Sequence, residues 1–90
     1  MMHVDFDLGE TRHVKLQIQS CKGDPFEIAS ASYTLTAKGE IEPEDKGASV
    51  IYEHVIDQVI TPKQRRLYIL SVTYKIADET LIDNVEVRVT

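Results

Sequence analysis

The sequence predicts an all-β domain folded as an antiparallel sandwich. Apolar and polar residues alternate along most of the chain, as Met2, Val4, Phe6 and Leu8 do with His3, Asp5 and Asp7. Turn-forming clusters cut the chain at Leu8-Gly9-Glu10-Thr11, Lys22-Gly23-Asp24-Pro25, 38–47 and Thr61-Pro62-Lys63-Gln64. No segment reads as an unambiguous helix. The result is about seven short strands, enough for two packed sheets.

The first strand is the alternating run 2–8. In the second, Val14, Leu16 and Ile18 alternate with His13, Lys15, Gln17 and Gln19, leaving one face wet. A third strand follows Pro25. Phe26 and Ile28 share one parity there, and Ala29, Ala31, Tyr33, Leu35 and Ala37 share the other. The switch near Ile28 predicts a bulge or bend. Residues 39–47 carry Glu40, Glu42, Pro43, Glu44 and Asp45 between two glycines and read as the longest loop.

Residues 49–60 are ambiguous. Ile51, Val55 and Val59 fall four apart, Ser49 suits a helix cap, and Pro62 suits a position past a helix end. Six of these twelve residues are Val or Ile, whose branching crowds a helical turn and favours a pleated sheet. One or two strands are the preferred reading, with Val50, Tyr52, Ile56 and Ile60 facing the core. Further on, Tyr68, Leu70, Val72, Tyr74 and Ile76 line one face of a long strand. Val85, Val87 and Val89 alternate with Glu86 and Arg88 in the last one. The connection Ala77-Asp78-Glu79-Thr80 lacks Asn-Gly or Asp-Gly, so a loop longer than two residues is expected in this hairpin.

At 90 residues the chain is read as one domain, 1–90. Its 42% hydrophobic content argues against disorder. A net charge of −5 disfavours a phosphate backbone as partner. The single cysteine, Cys21, allows no internal disulfide. No apolar run reaches signal-peptide or transmembrane length. The chain is therefore expected in the cytoplasm or on a particle assembled there, away from nucleic acid and membrane, and not exported by a signal peptide.

Chemistry-bearing groups are sparse. His3, His13 and His54 lie on separate segments, without zinc-ligand spacing. The acidic run Glu40, Glu42, Glu44, Asp45 lacks the alternating ligands of a calcium loop. Asp5 and Asp7 share a wet strand face, a poor setting for raising one carboxyl pKa. Cys21 sits beside Lys22, with no histidine near it in sequence, and no glycine-rich phosphate loop or nucleophile elbow occurs. Lys63, Arg65 and Arg66 read as a solvated corner. The expectation is a non-enzyme with no catalytic residue, metal, cofactor or small-molecule substrate.

Two structural features stand out instead. Tyr68 opens a strand after the corner Ile60-Thr61-Pro62, so it reads either as a corner tyrosine bonding back across the loop or as a core aromatic. The corner reading leads to an immunoglobulin-like or fibronectin III-like sandwich. The first strand and the last, with Val85, Val87 and Val89, read as open edges that accept a strand from a neighbour.

Several stretches resemble a known family: 11–18, Gly23-Asp24-Pro25-Phe26-Glu27-Ile28, Ala31-Ser32-Tyr33-Thr34-Leu35, Leu67-Tyr68-Ile69-Leu70-Ser71-Val72-Thr73-Tyr74, and Val85-Glu86-Val87-Arg88-Val89. They are similar to the immunoglobulin-like N-terminal domain of phage baseplate upper proteins and related tail-associated modules. The likeness is one of strand pattern, and Gln64-Arg65-Arg66 stand where that family has a glycine before its tyrosine. It implies a structural module of a phage or prophage particle, whose partners are other particle subunits or further copies of itself. Two alternatives remain: a carbohydrate-binding or adhesion sandwich, for which the tyrosines read mostly as core, and a small regulator that binds by strand addition.

Overall fold

Eight strands and no helix make up the computed structural model, which describes residues 2–19 and 25–90. The strands are β1 (Met2–Phe6), β2 (Arg12–Gln17), β3 (Ile28–Ala37), β4 (Asp45–Ala48), β5 (Val50–Tyr52), β6 (Val55–Ile60), β7 (Leu67–Ile76) and β8 (Glu79–Val89). Cys21 and the turn 22–24 lie outside the described residues.

Two sheets form. One has the order β1-β8-β7-β3-β4 and the other β2-β6-β5. All neighbours are antiparallel except β1 and β8, which run parallel with Met2 opposite Val85 and Phe6 opposite Val89. The inward parity of each strand supplies the core. Phe6, Leu35, Ile56, Tyr68, Leu70 and Val87 are at most 1% exposed, and burying such side chains contributes about 1.5–3 kcal/mol each. Arg12 of β2 lies over the Phe6 ring, 4.3 Å from its centroid, and donates to the Asp5 carbonyl, tying β1 to the opposite sheet.

The parity switch at Ile28 is a bulge: β3 shifts register against β7 between Ile28 and Ser30. Residues 49–60 are strands, β5 and β6, joined by the two-residue turn Glu53-His54. Their facing differs from expectation. Ile56 and Ile60 are buried, but Val50 and Tyr52 are 66% and 71% exposed. Across the Glu53-His54 turn the inward parity changes, so Ile51, opposite Ile56, faces the core on β5 while Val50 and Tyr52 face outward. Gln58 takes an inward place on β6, accepting a hydrogen bond from Ser49 Oγ and donating one to the Val59 carbonyl, both at 2.8 Å. Those bonds remove the penalty that kept a glutamine out of the expected core.

The stretch 39–47 is not all loop. Its last residues enter β4, paired to β3 from Leu35 to Ser32. The β7–β8 hairpin also departs from expectation. Ile76 pairs with Glu79, leaving only Ala77 and Asp78 in the turn. Ala77 adopts φ +54°, in the left-handed region. A positive φ at the first of two central residues marks the type II′ turn, which normally has glycine there. Ala77→Gly should therefore raise stability by about 0.5–1 kcal/mol, since relief of the Cβ clash outweighs the extra freedom of the unfolded chain. A higher urea midpoint with an unchanged slope would show it.

Candidate interaction edges

Strand β8 is not an edge. It lies between β1 and β7, and Val85, Val87 and Val89 are 1%, 0% and 5% exposed. The open-edge expectation for these three residues is thus corrected. Strand β1 returns alongside them in parallel, so their alternation reflects a doubly flanked strand. The edges that remain open are β1 and β4 in the larger sheet, and β2 and β5 in the smaller.

Among the described residues the two sides of β8 are paired over different lengths. Strand β1 pairs only with the segment 85–89, whereas β7 pairs with all of β8 from Glu79 to Arg88. Hydrogen-bond direction alternates along the strand. Val89 N–H donates to the Arg66 carbonyl on the β7 side (3.1 Å), and Thr90 N–H donates to the Phe6 carbonyl on the β1 side (2.9 Å). Even-numbered positions therefore aim their backbone groups towards the β1 side. Thr80 and Ile82 do so below the start of β1, where no described residue pairs with them. Ile82 is 62% exposed. Beside it a cleft of about 440 Å³ opens between the sheets, lined by Met2, Leu16, Gln17, Ile82, Asp83, Asn84 and Val85.

The opposite corner is clasped by polar groups. The Tyr68 ring is fully buried, and its hydroxyl donates to Glu44 Oε1 at 2.8 Å and accepts from Gln64 N–H, four residues upstream, at 3.2 Å. Arg66 pairs with Glu40 at 3.1 Å and also donates to the Lys38 carbonyl, while Lys63 N–H donates to Glu44 Oε2. The acidic run and the basic cluster, each read alone as solvated, thus partly satisfy one another. Their long separation in sequence hid this.

Two further tyrosines also face carboxylates. Burial, aided by Asp45, pushes Tyr33 up to about 12, and burial, aided by Asp83, does the same for Tyr74. Tyr74 donates to Asp83 Oδ2 at 3.0 Å. Folded phenols that hold protons the unfolded chain has lost make stability fall with rising pH. Their contribution is complete below pH 10 and is lost between pH 10 and about 12. Urea midpoints should thus drop across that window, in step with phenolate absorbance at 295 nm. A midpoint constant to pH 12 would contradict the assignment.

The histidines remain apart. His13 Nδ1 contacts Asp57 Oδ1 at 2.8 Å across β2 and β6, and His54 stacks on Phe26 with centroids 4.2 Å apart. Among the described residues no cluster of three or more His, Cys, Asp or Glu is placed to hold a metal ion. No described helix is long and apolar enough to cross a membrane. No protein-family model, curated protein or solved structure matches the chain.

Proposed function

We propose that the chain is a non-catalytic protein–protein interaction module, with a phage or prophage particle as its setting. The carrying observation is the set of sheet edges, β1 and β4 in the larger sheet and β2 and β5 in the smaller, that no other described strand pairs. Unpaired strand edges of this kind recruit strands from partners. The particle setting rests on the strand-pattern resemblance alone, as does the immunoglobulin-like assignment. Co-expression with each protein encoded beside it should yield one stoichiometric complex by gel filtration with light scattering. A strict monomer that joins none of them, encoded among metabolic genes, would remove the reading.

Glycan binding retains one support. Tyr52 is exposed on β5, where an aromatic ring is free to stack on a sugar. Glycan-array signal lost on Tyr52→Ala would favour that alternative.

A further inference from the structure

We infer that the outer face of the larger sheet, over β3 and β7, docks against the same face of a second copy, with Lys46 of each copy beside Glu86 of the other. This rests on the interaction-module reading and gives it a partner and a surface. Tyr33, Leu35, Leu70 and Val72 are buried, so the alternate positions Ser32, Thr34 and Thr36 of β3 and Ile69, Ser71 and Thr73 of β7 point outwards. They form rows across the sheet: Ser32 stands opposite Thr73, Thr34 opposite Ser71, and Thr36 opposite Ile69. None of these positions is charged, in a chain with 28% charged residues. The centre of the sheet therefore offers a partner no ion to desolvate. Ile69 is half-buried, and Ile82, opposite Thr73 on β8, is 62% exposed, which gives the face an apolar share.

Hydroxyls and charges together select a second copy as the occupant. A hydroxyl both donates and accepts, so a face of serine and threonine complements a copy of itself. The flanks of the face carry opposite charges. On the β4 side stands Lys46, opposite Thr34. On the β8 side stands Glu86, opposite Ile69, while Arg88 and Asp5 lie opposite one another and offset. Sheets stack face to face about 10 Å apart with their strands nearly aligned. A two-fold axis along the strands turns the β4 flank of one copy onto the β8 flank of the other. Each Lys46 then meets a Glu86 one outward step along the strand, about 7 Å, within reach of a lysine stem. An axis across the strands would set each flank on its own kind instead. Four strands and four outward rows cover roughly 500 Å² per copy, below the 800 Å² or so per partner of a standard interface, so the dimer belongs to the weak, exchangeable class.

The experiment uses the full chain, labelled with nitrogen-15, at increasing concentration. Sedimentation equilibrium should show a mass rising from monomer towards dimer as millimolar concentration is approached. Amide signals of 32–36 and 69–73 should shift over the same range, and those of β2, β5 and β6 should stay in place. Ile69→Lys puts a charge at an outward position in the middle of the face. It should keep the native circular dichroism and weaken the dimer at least tenfold. Lys46→Glu and Glu86→Lys should each weaken it several-fold, and the double variant should restore it. These rim changes read the contact even if Ile69→Lys does not fold. A strict monomer at millimolar concentration, or shifts confined to β2, β5 and β6, overturns the inference. So does an undiminished dimer of the folded Ile69→Lys chain, or a double variant as weak as the single ones. If the chain is monomeric but joins a co-expressed protein, the module reading stands and this inference fails. If it is monomeric and joins none, both fail.

Discussion

A chain carrying Val87→Pro is expected not to fold. Val87 sits opposite Tyr68 of β7 and Val4 of β1, at the middle of the larger sheet, and is 0% exposed. Its odd position aims the N–H at β7, by the alternation seen at Val89. Proline would delete that ladder bond, leave a β7 carbonyl unpaired, and force its ring between two strands. The combined cost, on the order of 4 kcal/mol or more, approaches the total stability of a domain this small. Circular dichroism should show loss of the strand signal, and proteolysis should be rapid. A folded Val87→Pro protein would mean that β8 is not flanked on both sides.

Tyr68→Phe is the second substitution with a large expected effect. It keeps the buried ring and removes one oxygen. Glu44 then loses its donor and Gln64 N–H its acceptor. Leaving such groups unpaired costs about 1–3 kcal/mol, or roughly 4–8 °C of melting temperature per kcal/mol in a domain of this size. Because Glu44 also accepts from Lys63 N–H, and Arg66 holds Glu40 beside it, the whole corner should loosen together. Faster proteolytic nicking within 38–44 and 63–66 would report that. Tyr74→Phe makes the comparison, because its partner Asp83 is at the exposed rim and can return to water. A loss equal to that of Tyr74→Phe would reduce Tyr68 to a packing residue.

Strand periodicity was readable because one face of most segments is buried and the other wet. The parity break at Ile28 was readable for the same reason. A bulge inserts one residue, and that insertion appears directly as a shifted alternation. Lateral order was not readable. Val85, Val87 and Val89 alternate identically whether β8 is central or terminal, and nothing local tells that β1 returns from the far end of the chain to lie beside it. The same limitation explains the start of β8. Glu79 and Thr80 read as part of the turn because both are polar, yet they already pair with Ile76 and Lys75 of β7. Ala77 hid the tight turn by standing where glycine is usual. Val50 and Tyr52 share the parity of Ile56 and Ile60, but the two-residue turn at Glu53-His54 pairs Ile51 with Ile56, so the inward parity switches between β5 and β6.

The parallel pairing of β1 with β8 also has a mechanical consequence. Tension applied through the two ends of the chain draws β1 backwards from Met2 and β8 forwards from Val89, along antiparallel lines of force. The five matched positions from Met2/Val85 to Phe6/Val89 are then loaded in shear. Their bonds must rupture together instead of unzipping one by one, so the domain resists stretching far better than its modest size suggests.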